Sequence, residues 1–544
     1  MDAAPTAPAP APPAGRPLPA LTLAVLAGVV MALGLPPFAG TAPLVPLGLA
    51  ALFLALIHGA WPARTGWAFG IVHQTAVLHW LFLLEPSQTI PTRALVPVQA
   101  AAAILYVSLF YLGLGWVVGH LRRRFGARRA LLLLPAVWVA MEALRSRGEL
   151  GFPWCLSGAA IIGTPAIGLA RAAGEIGVGA GVAVLALLLA LLGERWWFRR
   201  LPGEARGAGG RTLVAAGAAC AVMLGFLVAG AAWEPERPAA HTHLADSLGT
   251  ATRPVPVAAV QADVALSDKW VQARIDSTRI PYRELTARAG ADGAALVVWA
   301  ETAVPAYLRY DQELLRWFRA TVREAAAWVY TGFPDADRGP DGVVRTYNSS
   351  GLFDPQAGQR ATYAKHHLLP IGETMPFQSV LPFLHKVDLG QAEWTPGLPP
   401  EPMNVALAGG GLRISGLICF ESVFADLARD SVRRGSQCLV VITNDGWFGK
   451  SAGPRQHAWL ARLRAVESGV PVVRCANNGI SFVCDARGRV LDSLDLGRRG
   501  VVRAEILPGD GRTLYVKAGA WPVGVLLLLW CAAVLSGAAA RNPR

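Results

Sequence analysis

The sequence predicts a bundle of eight membrane-spanning helices joined to one α/β domain that lies outside the membrane. Three observations predict this fold class: the composition, the spacing of long apolar runs, and the alternation of strand and helix patterns in one long segment. Of the 544 residues, 53% are hydrophobic and 16% are charged, whereas soluble domains are about 25% charged. A chain of this composition is neither wholly water-soluble nor disordered throughout.

Eight apolar runs have close to the ~20 residues that a helix needs to cross a bilayer. They cover residues 19–34, 43–60, 65–84, 95–119, 130–146, 175–193, 212–232 and 521–538. The chain therefore divides into four parts: a disordered tail at 1–18, a seven-helix domain at 19–232, an extramembrane domain at 233–520, and an eighth helix with a short tail at 521–544.

Arginine-rich loops give the orientation of these spans, because cytoplasmic loops carry an excess of basic residues. Five arginines lie between residues 120 and 129, five more between 194 and 211, and Arg541 and Arg544 follow the last span. Alternating spans put these segments on the cytoplasmic side. The segment 233–520 then lies on the opposite face of the inner membrane, which is the periplasm in a bacterium.

The formal charge of +13 follows the same division. The cytoplasmic segments contribute a net +11, and the segment 233–520 contributes a net +2. A basic excess can indicate nucleic acid or an anionic membrane as a partner. Since the large water-facing domain is nearly neutral, we expect no nucleic-acid partner, and we interpret the excess as a signal of orientation.

The segment 233–520 alternates short β-rich runs with helical patterns, which predicts an α/β domain. Strands are expected at 255–261, 295–300, 328–332, 346–353, 413–418, 438–443, 470–475 and 480–485, and helices at 269–289, 311–327, 423–434 and 455–468. Reactive residues of α/β folds lie where strands end. Three strand ends carry such residues, namely Glu301, Lys365 and Cys419.

Cys419 is the candidate nucleophile among seven cysteines. No CxxC pair occurs in the sequence, which argues against a zinc site or a redox motif, and we expect neither a metal nor a cofactor. Cys419 ends an apolar strand and is followed by Glu421 and a helix start, which favours a thiolate. Most free cysteines are small buried hydrophobes, so that alternative stays open from these features alone.

Glu301 and Lys365 have the chemistry to assist a thiol. A carboxylate at the end of a buried strand is costly unless it is paired or functional, and Glu301 is suited to take a proton; a capping role is the alternative. Lys365 lies among apolar and aromatic residues and suits oxyanion stabilisation, although an edge-strand surface lysine stays open as the alternative. His366 and His367 offer a rival, a Cys–His pair of the thiol-protease kind.

The order of Glu, Lys and Cys at strand ends resembles the nitrilase superfamily, whose αββα sandwich uses this triad for acyl chemistry. The whole chain is similar to the apolipoprotein N-acyltransferase family, which inserts such a domain between the last two of eight membrane spans. The matching motifs are 151–154 (GFPW), 298–305 (VWAETAVP), 365–373 (KHHLLPIGE), 418–421 (ICFE), 443–449 (TNDGWFG), 453–457 (GPRQH) and 477–479 (NNG).

The resemblance implies a two-step acyl transfer. Cys419, deprotonated by Glu301, would attack an acyl ester of a membrane phospholipid. The resulting thioester would pass its acyl chain to the α-amine of the N-terminal diacylglyceryl-cysteine of an apolipoprotein. Lys365 and a backbone N–H near Phe420 would hold the oxyanion, and Glu373 would orient Lys365. A membrane-anchored nitrilase-type amidase is the alternative enzyme, and a transporter is the non-enzyme alternative.

Further residues take supporting roles through the same resemblance. Glu421 is expected to support the cysteine, and Phe420, which stands where the family often has Tyr, to act by packing. Substrate-binding positions are Trp270, Trp447 and Asn444. Ala300 stands where the family often has Pro before the glutamate. We expect a monomer.

Two apolar regions carry further expectations. The segment 375–384 is proline-broken, and we expect either a lid or membrane-dipping arm or a buried loop there. His73, Gln74 and His79 are polar at membrane depth. They line a route for lipid or form hydrogen bonds between helices.

Overall fold

The computed structural model describes residues 17–38, 40–84, 94–198, 210–232, 253–265, 269, 275–378, 380–381, 383, 393–408 and 410–536. Trp270 and most of the expected N-terminal tail lie outside these residues. The described chain forms two parts in contact, a set of apolar helices and an α/β sandwich.

Seven helices precede the sandwich within the described residues. They are α1 (Pro17–Leu33), α2 (Leu44–His58), α3 (Pro62–Leu78), α4 (Leu95–Phe125), α5 (Ala127–Arg145), α6 (Ala170–Phe198) and α7 (Gly210–Ala231). α4 ends with three arginines in its last turn, where cations interact favourably with the helix dipole. Gly174 has a φ of +67° and interrupts α6 near its start.

Membrane crossing is supported by length and composition for three stretches, Leu95–Phe125, Pro165–Trp196 and Arg211–Ala231. The apolar helices at Pro19–Leu33, Leu44–His58 and Trp521–Ser536 are shorter. All eight sequence-derived spans coincide with helices, because uninterrupted apolar runs have no polar pattern that would start a strand or a turn. The number of membrane spans remains a prediction.

In the part of the chain that the structure describes, twelve strands build the sandwich. They are β1 (Val255–Gln261), β2 (Leu296–Trp299), β3 (Trp328–Arg338), β4 (Val344–Phe353), β5 (Gln359–Ala364), β6 (Met403–Val405), β7 (Leu412–Ile418), β8 (Cys438–Thr443), β9 (Val472–Ala476), β10 (Ser481–Cys484), β11 (Val490–Leu494) and β12 (Gly500–Ile506). One sheet has the order β12-β1-β2-β3-β4-β5 and the other β11-β10-β9-β8-β7-β6.

Helices cover the outer face of each sheet. They are α8 (Ile275–Ala291), α9 (Gln312–Ala325), α10 (Ala425–Arg433) and α11 (Gly453–Ser468), followed by α12 (Leu514–Ala518) and α13 (Trp521–Ser536). Apolar residues of both sheets form a common core between them. The first sheet packs against α8 and α9, and the second against α10 and α11. These four layers confirm the α/β prediction and form an αββα sandwich.

The sandwich packs on the helical region, which we define as α1–α7 with the described segments that join them, together with α13. Phe420, Val423, Leu460 and Leu463 belong to the same buried apolar cluster as residues of α1–α7. A buried ion pair joins the two parts, since Arg464 of α11 donates to Glu175 of α6 at 2.9 Å. The face of the second sheet that carries α11 therefore lies against the helices.

The direction and pairing of the strands determine where the three expected strand ends lie. β1, β2 and β3 are parallel, and β4 and β5 follow in antiparallel pairing, so β5 runs in the same direction as β2. In the second sheet, β7, β8 and β9 are parallel. Ile418 pairs with Ile442, which places the residues that follow them, Cys419 and Thr443, side by side.

Candidate active site

Glu301 and Cys419 each follow a buried strand and a sharp change of backbone direction. Cys419 has a φ of 53°, and Thr302, next to Glu301, has a φ of 48°. Non-glycine residues adopt this left-handed region rarely, and such strain concentrates at functional sites. Gly332 of β3 permits the close packing there, because a Cβ atom at this position would lie 2.9 Å from the Cα of Glu301.

Lys365 lies between two carboxylates. Its Nζ is 2.7 Å from Oε2 of Glu373 and 4.0 Å from Oε1 of Glu301, and the lysine is 1% exposed. Burial alone lowers the pKa of Lys365, but the carboxylates of Glu373 and Glu301 outweigh that effect and hold the pKa above its usual value. The ammonium therefore stays charged, and Glu373 lies where the sequence-based expectation put it, on Lys365.

Glu301 is held by two uncharged donors. Nδ2 of Asn348 donates to Oε1 of Glu301 at 2.8 Å, and the backbone N–H of Asn444 donates to Oε2 at 3.0 Å. The same Asn348 nitrogen donates to Glu373 at 3.0 Å, and the main-chain carbonyl of Asn348 accepts from the backbone N–H of Lys365 at 2.8 Å. Asn348 thus links the two carboxylates to the strand end that carries the lysine.

A second buried lysine lies beside Glu301. Nζ of Lys269 donates to the main-chain carbonyl of Glu301 at 2.9 Å, and its side chain is 4% exposed. Burial lowers the pKa of Lys269 to about 8, although the Glu301 carboxylate acts in the opposite direction. Sequence reasoning missed Lys269, because it falls in a stretch that only suggested a helix.

Glu421 joins the turn after β7 to the segment after β5. Its Oε1 accepts from the hydroxyl of Tyr363 at 2.6 Å and from the backbone N–H groups of His366 and His367 at 2.8 and 2.9 Å. Its Oε2 accepts from the backbone N–H of Ile418 at 2.7 Å. Four hydrogen bonds therefore fix the position of the Cys419 turn relative to the Lys365 strand.

Burial and two neighbouring charges act on the pKa of the Cys419 thiol. Burial raises its pKa, the Glu301 carboxylate raises it further, and the Lys365 ammonium acts in the opposite direction. The following helix start is expected to favour a thiolate, but Cys419 opens a five-residue 3-10 turn, Cys419–Val423, and the raised pKa contradicts that expectation. Attack by the sulfur would need a base to remove the proton, and the Glu301 carboxylate acts on the thiol electrostatically.

His366 and His367, the alternative partners of the Cys419 thiol, make other contacts. Nδ1 of His366 lies 2.8 Å from the Gly397 carbonyl, and the ring of His367 packs on Phe424 with centroids 3.9 Å apart. Burial lowers the pKa of His367 to about 4. Neither ring bonds Cys419 among the described contacts, so the Cys–His hypothesis lacks its defining hydrogen bond.

Aromatic residues surround the Cys419 turn. Phe420 stacks near Phe152, with ring centroids 5.9 Å apart, and contacts Phe424 edge-on, in line with the packing role expected for it. Trp447 is half-buried in the turn Asp445–Phe448, while its neighbour Phe448 packs on rings of the helical region. The other expected tryptophan, Trp270, is not among the described residues.

The segment 375–384 is described in part. Phe377, Val380, Leu381 and Phe383 are exposed, with Val380 at 72%, which disagrees with a buried loop. The backbone N–H of Phe377 donates to Glu149 of the helical region at 2.6 Å. Residues 379, 382 and 384 lie outside the described part.

His73 and Gln74 of α3, and His79 directly after it, make contacts within the helical region. Nδ1 of His73 lies 3.3 Å from the Gly28 carbonyl, and Gln74 donates to the Tyr111 hydroxyl at 2.8 Å. His79 lies 2.9 Å from the Ala76 carbonyl. The hydrogen bonds of His73 and Gln74 fit the expectation of contacts between helices.

A polar network that sequence reasoning missed lies on the other side of Cys419. Thr443 is within hydrogen-bond reach of the thiol and donates to Oδ1 of Asp445 at 2.9 Å. Asp445 contacts His457 at 3.0 Å and Arg474 at 2.8 Å. Burial raises the pKa of Asp445, but Arg474 and His457 hold it at about 2. The motifs at 443–449 and 453–457 were the available signal.

Comparisons with known proteins agree with this architecture. Residues 256–514 match the carbon-nitrogen hydrolase family, and residues 27–188 match the apolipoprotein N-acyltransferase N-terminal domain. The apolipoprotein N-acyltransferase of Azotobacter vinelandii is 32% identical over 93% of this chain and 94% of its own length. The chain belongs to the apolipoprotein N-acyltransferase family. The predicted resemblance is thereby confirmed over nearly the whole chain.

Two further relatives are also apolipoprotein N-acyltransferases. The apolipoprotein N-acyltransferase of Geobacter metallireducens is 32% identical over 91% of both chains, and that of Pseudomonas aeruginosa strain PAO1 is 31% identical over 93% of this chain and 94% of its own. Among solved structures, an amidase from Nesterenkonia sp. is 21% identical with a TM-score of 0.36, over 51% of this chain and 98% of its own.

Proposed function

We propose that this protein transfers an acyl chain from a membrane phospholipid to the N-terminal diacylglyceryl-cysteine of apolipoproteins, as the last step of lipoprotein maturation. The observation that carries the proposal is the convergence of Cys419, Glu301 and Lys365 at one end of the two facing sheets, in a chain of this family whose sandwich packs on apolar helices. The products are a lyso-phospholipid and an N-acylated lipoprotein.

The first step forms a thioester on Cys419. Glu301 takes the thiol proton, and the sulfur attacks the ester carbonyl of the phospholipid. The charged ammonium of Lys365 and a backbone N–H near Phe420 stabilise the developing oxyanion. The carbon–oxygen bond then breaks, and Glu301 returns its proton to the departing alkoxide oxygen of the lyso-phospholipid. The raised pKa of the thiol supports this order, since proton removal must accompany attack.

The second step consumes the thioester. The free α-amine of the diacylglyceryl-cysteine attacks the thioester carbonyl, and Glu301 now takes a proton from the nitrogen. Collapse of the tetrahedral intermediate forms the amide and expels the sulfur of Cys419, which recovers the proton. One donor product leaves before the acceptor reacts, so the reaction follows a ping-pong scheme. None of these steps calls for a metal or a cofactor.

Other residues hold this arrangement in place. Glu373 and Asn348 orient Lys365 and Glu301 through the hydrogen bonds described above, and Glu421 fixes the turn that carries Cys419. Phe420 packs beside the nucleophile. Trp447 and Trp270 line the acyl chamber, and Asn444 contributes through its backbone bond to Glu301. We assign them positioning and binding roles, with no direct part in bond making.

The site must reach lipids of the outer leaflet of the inner membrane, because both substrates keep their acyl chains in the bilayer. We therefore place the sandwich, residues 233–520, in the periplasm, with seven spans at 19–232 before it and one at 521–544 after it. The exposed apolar residues of the segment 375–384 form the arm that dips into the lipid. The protein acts as a monomer.

The alternative amidase would use the same triad with water in the second step. It is not favoured, because the family match extends through the helical region as well as the sandwich, and hydrolysis of a small amide has no use for apolar helices. A mixture of phospholipid and diacylglyceryl peptide separates the two, since the amidase would release free fatty acid and no acylated peptide.

A transfer assay tests the proposal. Purified full-length protein is incubated with a phospholipid carrying a labelled acyl chain and a diacylglyceryl-cysteine peptide, and the labelled peptide is measured. We expect loss of product in Cys419→Ala and wild-type yield in the matched variant Cys220→Ala, whose cysteine is half-buried in α7. Labelled peptide formed at the wild-type rate by Cys419→Ala would contradict the proposal.

A further inference from the structure

Two consecutive residues at the start of α11, Gln456 and His457, face different parts of the molecule. Both are buried, at 2% and 1% exposure, and neither takes part in the acyl-transfer steps proposed above. The amide of Gln456 faces the helical region, and the ring of His457 faces the turn that carries Cys419. The first turn of α11 therefore touches both sides of the contact between the two parts.

The Gln456 amide is fully hydrogen-bonded to the helical region. Its Nε2 donates to the carbonyls of Pro36 at 3.0 Å and Val77 at 3.1 Å. Its Oε1 accepts from the indole N–H groups of Trp80 at 2.9 Å and Trp154 at 2.8 Å. These four bonds use both donors and both lone pairs of the amide. One side chain thereby seats α11 against four separate positions of the helical region.

His457 holds the backbone of the nucleophile. Its Nε2 lies 3.0 Å from the carbonyl oxygen of Cys419 and 3.0 Å from the hydroxyl of Ser422, which itself donates to that carbonyl at 2.9 Å. Its Nδ1 lies 3.0 Å from Asp445, which is linked to the thiol through Thr443. The ring of Trp154, which also binds Gln456, packs on the His457 ring with centroids 5.5 Å apart.

We propose that Gln456 and His457 are positioning residues that couple the seating of the sandwich on the helical region to the conformation of Cys419. The left-handed backbone of Cys419 is strained and persists only when its surroundings enforce it. His457 enforces it, and the adjacent Gln456 sets where His457 lies. The thiol is therefore correctly placed only while the sandwich is seated on the helices.

This inference rests on the proposed function in one respect, that Cys419 is the nucleophile. Its physical consequence is that a sandwich displaced from the helices loses nucleophile geometry before it unfolds. The thioester then forms only where the phospholipid donor is present, which limits loss of the thioester to hydrolysis by water.

Alkylation of Cys419 by iodoacetamide tests the coupling without any lipid substrate. The second-order rate constant is measured by peptide mass spectrometry on the full-length protein in detergent, together with the unfolding temperature. We expect His457→Leu to lower the rate about tenfold, as loss of one hydrogen bond at the Cys419 turn predicts. Gln456→Leu removes four hydrogen bonds, and we expect a loss at least as large. His457→Gln keeps a polar group beside the Cys419 carbonyl and the Ser422 hydroxyl and is expected to recover most of the rate.

Glu175→Gln is the matched control, because it weakens the ion pair between α6 and Arg464 of α11 but leaves Arg464 with its bond to the Val423 carbonyl in the turn that carries Cys419. We expect it to lower the unfolding temperature and leave the alkylation rate unchanged. A wild-type rate in Gln456→Leu, an equal loss in Glu175→Gln, or no recovery in His457→Gln would overturn the coupling. A normal alkylation pattern without any acyl product would instead contradict the proposed function alone.

Discussion

At the scale of single residues, three carboxylates at one end of the sandwich have different surroundings. Glu373 faces the ammonium of Lys365, whereas Glu421 accepts four hydrogen bonds from uncharged donors. Glu301 accepts one bond on each oxygen, from Asn348 and the backbone of Asn444. Glu301 therefore retains lone pairs for proton transfer, whereas the contacts of Glu373 and Glu421 hold neighbouring groups in position.

Replacement of Asn348 by Leu is expected to impair thioester formation without abolishing folding. The amide nitrogen is shared by Glu301 and Glu373, and each bond to a charged group contributes about 1.5–3 kcal/mol. We expect the acylation rate to fall about 10- to 100-fold, with little change in the lipid concentration at half-maximal rate. Thr346→Val, on the same strand, removes a hydrogen bond that does not reach the carboxylates and is expected to retain the wild-type rate.

Lys269 predicts a specific pH dependence of stability. Its pKa is about 8 in the folded protein, below the usual 10.5, so the unfolded chain binds more protons between these values. The contribution of Lys269 to the free energy of unfolding therefore rises with pH between about 8 and 10.5. Relative to Lys269→Met, the wild type is expected to gain up to about 3 kcal/mol between pH ~8 and pH ~10.5. Denaturant titrations of both proteins that stay parallel over this range would refute the prediction.

Sequence patterns predicted the charged groups of the site better than their partners. Glu301 and Cys419 are recognisable because each follows an apolar strand, and Lys365 because it is a lysine at the end of a short β-rich run. Asn348 lies inside a strand, and its partner is set by how the strands are aligned, which the sequence does not display. The thiolate expectation for Cys419 failed for a related reason, because burial depends on packing from elements far apart in the chain.

At the scale of elements, the site depends on how the segment after β5 meets the turn after β7. Glu421 makes that connection through Tyr363 and the backbone of His366 and His367. Because the segment after β5 carries Lys365 and the turn after β7 carries Cys419, these hydrogen bonds also set the distance between the proposed oxyanion site and the proposed nucleophile.

Tyr363→Phe and Glu421→Gln weaken this connection to different degrees. Tyr363→Phe removes one donor of four, and we expect a loss of stability of about 2 kcal/mol with most of the acyl-transfer rate kept. Glu421→Gln places donor hydrogens against donors, and we expect at least a roughly tenfold loss of rate as well. Thermal unfolding and thioester yield measure the two effects, and a larger rate loss in Tyr363→Phe than in Glu421→Gln would contradict this account.

Central strands were predictable and edge strands were not. β1 and β8 match their expected bounds, because both are buried runs of apolar residues. β11 is mostly exposed and β6 has three residues, so neither shows the apolar pattern on which the expectation relied. β12 alternates weakly and was missed although it pairs with β1 along its whole length. Pairing with a distant strand defines these elements more than their own composition.

At the scale of the whole molecule, charge and apolar length together predict where each part lies. The basic residues concentrate in segments assigned to the cytoplasm, among them the last turn of α4. The sandwich is nearly neutral and packs on the helices through the α11 side of its second sheet. This arrangement puts Cys419 next to the helical region, as a lipid substrate requires.

The orientation is testable with single introduced cysteines. Val343→Cys lies in an exposed turn between β3 and β4, and Arg124→Cys lies at the end of α4. We expect a membrane-impermeant maleimide added to spheroplasts to label Val343→Cys at once, and Arg124→Cys only after the membrane is permeabilised. The unsubstituted chain sets the background. The reverse labelling pattern would invert the topology and place the site in the cytoplasm.

The most direct test of the central claim is the location of the acyl group on the protein itself. Full-length protein is mixed with phospholipid alone, without acceptor peptide, and digested for mass spectrometry. The account predicts one acyl group on the peptide that contains Cys419, released by hydroxylamine as a thioester and absent from Cys419→Ala and Glu301→Gln. An acyl group on another residue, or no acylated protein while transfer to the peptide proceeds, would contradict it.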